Sequence, residues 1–267
     1  MRNRLVILVG VLAATVLFSS ALIAQEGDYD PRDFTGFWDR RAGPNGGSRE
    51  IHESGGSPPP MTALGQELLD AKRPGYGPRA VPPSGGNDPV GRCNPQGIPR
   101  IMLFPRPSEW IMLDDRLIQV FQWHRVYREI WLDGREIPED FDPGIRRWLG
   151  YSAGRWEGDT LVVESAGFEY DQRTWLDHHG NVHSENMRLT ERYTRTGYDT
   201  IELEMVIDDP TVYLEPWVAE KKTWYKVTAE SLAIEDWPGL MEEYCAPWDE
   251  VDSFNRRVRD PAGGVIN

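Results

Sequence analysis

Apolar and polar residues alternate through the middle of the chain with the period of two that marks β-strands. The pattern runs from Glu109 to about Glu235. A segment at 110–113 meets a turn pair, Asp114-Asp115, and the alternation resumes as one long run over 117–132. Within it Ile118, Val120, Gln122, His124, Val126, Arg128 and Ile130 share one face, while Phe121, Trp123, Arg125, Tyr127, Glu129 and Trp131 share the other. Asp133-Gly134 then turns the chain. Residues 148–156 return as 160–164 through Glu157-Gly158-Asp159, and 187–196 return as 201–207 through Gly197-Tyr198-Asp199. A last pair is expected at 222–227 and 232–235. Eight or more short strands joined by short turns describe an antiparallel meander or barrel, so the fold class is mainly all-β.

The flanks read differently. Between Ala42 and Pro107 glycine and proline dominate, with Pro58-Pro59-Pro60, Pro82-Pro83, Gly55-Gly56 and Gly85-Gly86. Such a stretch supports few ladder hydrogen bonds and should be an extended arm wrapped on other structure. One helix fits inside it: Thr62 can cap a run carrying Leu64, Leu68 and Ala71, ending before Pro74. At the other end Pro247 suits a first helical turn. Asp249, Glu250 and Asp252 lie near the positive pole, and Arg256, Arg257 and Arg259 near the negative one. Val251, Phe254 and Val258 form the stripe of that C-terminal helix.

The first residues are of another kind again. Arg2 and Arg4 precede an apolar run over 5–23 that closes at Ala24, the layout of an export signal. A retained anchor is the alternative, although about 19 apolar residues is borderline for spanning a bilayer. The expected organisation is therefore a signal peptide at 1–24, a first strand plus arm at 25–107, a barrel at 108–246, and a helix and tail at 247–267. The product is expected in the periplasm or outside the cell, with no membrane insertion once the signal is removed. There Cys93 and Cys245 are each other's only partners, and a bridge closing so long a loop is worth at most roughly 5 kcal/mol. Two buried thiols are the competing reading.

Composition removes several function classes. Hydrophobic residues at 39% and charged residues at 27% are globular proportions. Lys+Arg 29 against Asp+Glu 43 gives a net charge of −14, which argues against nucleic acid as a partner. Two cysteines cannot supply a four-cysteine zinc site, and neither a nucleotide-binding glycine motif nor a Gly-x-Ser-x-Gly elbow is present. No cofactor is implied.

Asp33-Phe34-Thr35-Gly36-Phe37-Trp38 places Gly-x-Trp at the first strand. With the meander and the C-terminal helix, this motif resembles the lipocalin-like, or calycin, β-barrels. The resemblance implies about 8–10 antiparallel strands around a hollow behind Trp38 that holds a small apolar molecule. Gly86-Asn87-Asp88-Pro89, Gly154-Arg155-Trp156-Glu157-Gly158-Asp159-Thr160, Arg173-Thr174-Trp175-Leu176-Asp177, His183-Ser184-Glu185, Glu191-Arg192-Tyr193 and Arg259-Asp260-Pro261-Ala262-Gly263 form a further set. As a set they resemble a family of exported bacterial proteins. That resemblance implies export and a shared fold, and carries no established activity.

Few side chains can do chemistry. A two-residue hairpin turn at Gly180-Asn181 would set His178 across from His183, close enough to share a metal if a third ligand were near. Of these only His183 belongs to the family pattern, so a metal site is not expected, and His178 and His183 stand as weak candidates. His124 and Glu191 both fall mid-strand. If both point into a barrel, they are candidate acid and base, with pKa values moved by burial. Arg173 and Asp177, flanking Trp175, could orient a bound molecule at the barrel mouth. Trp123, Arg128, Trp156, His183 and Tyr193 complete the candidate ligand-binding set, because buried tryptophans need indole partners and suit flat apolar ligands. Three classes follow: a binding barrel for a small apolar or aromatic molecule, a cofactor-independent isomerase, dehydratase or cyclase in the same barrel, and a cell-envelope interaction module.

Overall fold

The computed structural model describes residues 29–40, 47–169, 173–232, 236–247, 250 and 253, with Pro143 by its backbone alone. The expected signal at 1–24 lies outside them, as do nearly all of the expected C-terminal helix and the Arg259–Gly263 motif. Among the described residues, those from Pro31 onward belong to one compact unit.

Its strands are β1 (Gly36–Asp39), β2 (Ser108–Met112), β3 (Arg116–Phe121), β4 (Tyr127–Trp131), β5 (Tyr151–Glu157), β6 (Thr160–Ala166), β7 (Arg188–Gly197), β8 (Thr200–Asp208), β9 (Trp217–Val218) and β10 (Lys222–Lys226). Each of β1 to β7 pairs with its successor, and β10 bridges β8 and β1, so the sheet closes on itself. β9 sits on the same edge of β8, beyond β10. Closure leaves no long free edge.

The barrel is mixed, not purely antiparallel: β4 and β5 run parallel, with Ile130 opposite Ser152 and Trp131 opposite Ala153. A parallel pair needs a long crossover, here residues 132–150, and side-chain alternation is the same for either direction, so the sequence pattern carries no sign of it. Nor is the fold all-β. Helices α1 (Ala63–Asp70), α2 (Arg100–Leu103) and α3 (Ala229–Leu232) belong to it. α1 starts at Thr62 as its capping pattern requires, with Thr62 Oγ1 accepting from the Gly65 amide at 2.9 Å. Gly65 is needed there, since a Cβ would come within 2.3 Å of the Val212 carbonyl oxygen. α3 replaces the expected strand at its first residue, Leu232, while 233–235 lie outside the described residues. Ser231 and Thr228 exchange side-chain and backbone hydrogen bonds and close that single turn.

The largest departure is in the long run over 117–132, which is two strands. Between β3 and β4 the chain folds back through Gln122–Val126, with Phe121 N–H donating to the Val126 carbonyl at 2.9 Å. His124 (φ 59°) and Arg125 (φ 52°) are both left-handed. Gly, Asn, Asp and Pro, the usual residues of such turns, are all absent here, and for that reason the alternation reads straight through. The fold-back reverses the faces: Leu117, Gln119 and Phe121 point inward on β3, as do Arg128 and Ile130 on β4.

The interior has an aromatic half and a polar half. Gly36 enters β1 at φ +143°, a conformation that side-chain-bearing residues rarely adopt, and Trp38 follows it fully buried. The Trp38 indole donates to the Phe34 carbonyl at 2.8 Å, and that of Trp110 to Ser108 Oγ at 2.8 Å. Trp110 packs on Tyr193 and on Trp224, each at 5.4 Å between centroids. Trp110 stands beside Trp38, and the Arg195 guanidinium lies 5.6 Å from the centre of its ring. Toward the other end α2, buried throughout, plugs the barrel: Met102 Sδ lies 3.7 Å from Arg128 and 3.8 Å from the Tyr193 hydroxyl.

Candidate functional site

Polar side chains gather in two places. The first lies inside the barrel. Arg128 Nη1 donates to Glu191 Oε1 at 3.0 Å, and Nη2 to Oε2, making a bidentate pair. Its Nε donates to Ser152 Oγ (3.0 Å) and Nη2 also to Ser165 Oγ (2.8 Å), while the Tyr193 hydroxyl donates to Glu191 Oε1 at 2.7 Å. Burial works against the Arg128 charge, but Glu191 overrides it and holds the guanidinium more firmly protonated than usual. Burial and then the Glu191 charge push the Tyr193 hydroxyl well above its ordinary range. Strand alternation puts Leu189, Glu191 and Tyr193 on one buried face, as their spacing requires. The result is a satisfied ionic network in the core.

The second assembly is a cleft of about 1200 Å³ outside the α2 plug. The arm supplies Arg73, Tyr76 and Asp88. Arg100 and Phe104 come from α2 and its end, and Trp123 and His124 from the β3–β4 turn. A strap at 242–246 closes the far side, and Arg49 completes the rim. Phe104 packs against Trp123 at 4.9 Å, and Trp123 stacks on His124 at 5.4 Å and 25°. The strap also fastens the turn: Gln122 Nε2 donates to Glu243 Oε1 (3.0 Å), the Met241 amide to Gln122 Oε1 (3.1 Å), and Arg125 Nη1 to the Leu240 carbonyl (3.3 Å). A disulfide between Cys93 and Cys245 ties the strap to the arm, as expected, across 152 residues.

Several buried polar atoms without partners lie here, as others do at Gln96, Gln119 and Trp224. Among the described residues Trp123 Nε1, His124 Nε2, Arg100 Nε and Glu243 Oε2 are such atoms and belong to the lining. His178 Nδ1 is a fifth, and its ring lies edge-on to Phe104 at 4.3 Å. Burial pushes the His124 imidazole down, partly offset by Glu243, and pushes His178 down to about 2, reinforced by Arg100. Two consecutive left-handed residues at the rim add about 1–2 kcal/mol of local backbone cost each, which the strap contacts must outweigh.

The sequence candidates divide between these places. Arg128, Glu191 and Tyr193 come together inside the barrel, whereas His124 and Trp123 stand at the cleft. No hydrogen bond joins His124 to Glu191 among the described residues, and His124 occupies a turn, not a mid-strand position. Trp156 stacks on Phe34 at 5.7 Å under Arg32. Arg173 covers Trp148 at 4.5 Å and pairs with Glu169. Trp175 is buried beneath Arg100, at 5.4 Å.

The expected hairpin at Gly180-Asn181 closes elsewhere. The Gly180 amide turns back to the Asp177 carbonyl, and the buried Asp177 carboxylate accepts from the His179 and Asn181 amides. His178 and His179 thus occupy the turn centre, and His178 does not pair with His183. His183 instead joins Thr174 Oγ1 at 2.6 Å and the Ser184 carbonyl at 3.1 Å. No cluster of three metal-ligating side chains occurs among the described residues.

Arg49, Arg73, Tyr76, Arg100, Phe104 and Tyr244 also line the cleft and are not marked by any motif in the sequence. One signal was available. Within residues 42–107 seven lysines and arginines outnumber five carboxylates, in a chain whose net charge is −14. The arm is thus slightly basic on an acidic protein, although Lys72 and Arg100 are buried within it. No family model matches the chain, and no curated protein matches it.

Proposed function

We propose that this is an exported, lipocalin-like barrel protein that binds a small, largely apolar or aromatic molecule, and that the molecule sits in the cleft between arm, turn and strap. One observation carries the reading. Phe104 and Trp123 present aromatic surface in the same cleft where buried polar atoms lack partners, which is how a site for a flat molecule with a polar end is built. Export is supported by the arginine-flanked apolar start and by a disulfide, which persists in oxidising compartments. The resemblance of several motifs to those of exported bacterial proteins agrees with it. Among the described residues no helix is long and apolar enough to cross a membrane.

The test uses Trp123 as a reporter. Naphthoate or naphthamide added to the intact protein should quench tryptophan emission saturably. Trp123→Leu should remove most of that response while the near-ultraviolet signal of the barrel tryptophans persists. A response unchanged in Trp123→Leu would move the ligand away from the cleft, and no saturable response to either probe would end the reading. Intact mass of the exported product tests cleavage near Ala24.

A further inference from the structure

We infer that the cleft selects an aromatic monoanion, a carboxylate whose ring lies against Phe104 and Trp123 and whose charge is met by Arg49 and Arg73; this rests on the binding reading above. Most charges at the cleft are already paired. Of the arginines that line the cleft, Arg100 is engaged bidentately by Asp88 at 2.9 and 2.6 Å, and Arg106 by Glu243 at 3.1 Å. Arg49 and Arg73 are exposed, and their side chains have no polar partner among the described residues. Against them stands Glu242, the lining carboxylate left over once Asp88 and Glu243 are paired. Among the described lining residues the balance is one positive charge, on a protein whose net charge is −14.

The orphaned atoms point the same way. Trp123 Nε1 and Arg100 Nε can only donate, so each requires an acceptor. The orphaned acceptor, Glu243 Oε2, belongs to a carboxylate already bonded through Oε1 to Arg106 and Gln122. A carboxylate brings two acceptor oxygens in the plane that a guanidinium fork matches. A neutral amide brings one acceptor and two unwanted donors, and an ammonium brings donors alone. One surplus charge fits a monoanion better than a dianion, and the stacked aromatic wall fits an aryl ring.

The experiment is calorimetric titration of the intact protein at low salt with naphthoate, naphthamide and naphthylmethylammonium, which share a ring and differ in charge. Naphthoate should bind at least about tenfold more tightly than naphthamide, with the ammonium weakest. In the double variant Arg49→Gln/Arg73→Gln the gap between naphthoate and naphthamide should shrink to within about twofold. The melting temperature should not move, because neither side chain supports the fold. Naphthamide binding as tightly as naphthoate overturns the inference and leaves the cleft a binding site. A gap that survives in the double variant does the same. If none of the three binds, the binding reading falls and this inference falls with it.

Discussion

Inside the barrel every nitrogen of the Arg128 guanidinium is hydrogen-bonded, whereas at the cleft the Arg49 and Arg73 guanidinium groups have no partner among the described residues. Both places gather arginines and aromatic rings from distant parts of the chain, so composition does not distinguish them. Access to water does. A charge sealed behind closed strands must be matched when the chain folds, because an unmatched one costs several kcal/mol. A charge at an open cleft is matched by water until a ligand replaces it. The interior network is thus a structural requirement, whereas the cleft charges are open to a partner from outside the fold.

Breaking the interior network should have the largest effect. Glu191→Gln leaves Arg128 buried without a counter-ion and should cost about 3–5 kcal/mol in chemical denaturation, while Arg73→Gln should stay within about 0.5 kcal/mol. Replacing both partners, as Arg128→Met/Glu191→Met, should cost less than Glu191→Gln alone. A loss below about 1 kcal/mol for Glu191→Gln would erase the distinction between the two regions.

Next comes the disulfide, which belongs to the cleft side of the comparison. Cys93→Ser/Cys245→Ser should cost about 2–4 kcal/mol and should free the strap from the arm. The strap contacts through Glu243, Met241 and Leu240 also hold the β3–β4 turn, so naphthoate quenching should be lost together with the bridge. Circular dichroism of the barrel tryptophans should survive it. If barrel and cleft signals disappear together, the two are one cooperative structure and the contrast is only of access.

What the sequence disclosed follows the same division. The hairpins β5–β6 and β7–β8 were readable because Gly158-Asp159 and Tyr198-Asp199 announce their turns and Leu189, Glu191 and Tyr193 alternate cleanly. The disulfide was readable because only two cysteines exist. The turn at Gln122–Val126 was hidden, since its left-handed positions carry His124 and Arg125, and the cost is met by residues more than 110 positions away (|i−j| of 115 for Arg125 and Leu240). The parallel β4–β5 pairing was hidden because alternation has no direction. The cleft was hidden most deeply. Its residues lie in coil, turn and strap, where no periodicity applies, and only tertiary contact assembles them.

Histidine titration offers a third, intermediate effect. Burial lowers the pKa of both His178 and His183, His178 to about 2. The unfolded chain takes up the His178 proton below about pH 6.5 and the folded chain does not. Stability from this group is therefore complete above pH 6.5 and declines as pH falls from there, by about 1.4 kcal/mol per unit for His178, with His183 acting in the same direction. His178→Phe suits a ring packed edge-on against Phe104, with an orphaned Nδ1, and should remove one proton from that slope. Denaturation midpoints at pH 7, 6 and 5 would show it as about 2 kcal/mol of loss spared by pH 5. An unchanged slope would mean that His178 takes up its proton in the folded state, and that the wall beside Phe104 is wetter than its burial implies.

The smallest effect bears most directly on purpose. Two left-handed non-glycine residues in a row are a local cost that the barrel did not need to accept, since a two-residue turn of Asn-Gly type would join β3 to β4 without it. His124→Asn places in that conformation a residue that tolerates it, and should stabilise the protein by roughly 0.5 kcal/mol. The same substitution removes the ring stacked on Trp123 and the orphaned Nε2, so naphthoate affinity should fall several-fold. Stability rising while affinity falls is the signature of strain kept at a binding site. Were both to fall, His124 would be a packing residue like those inside the barrel; were neither to change, the turn would be incidental to the cleft it borders.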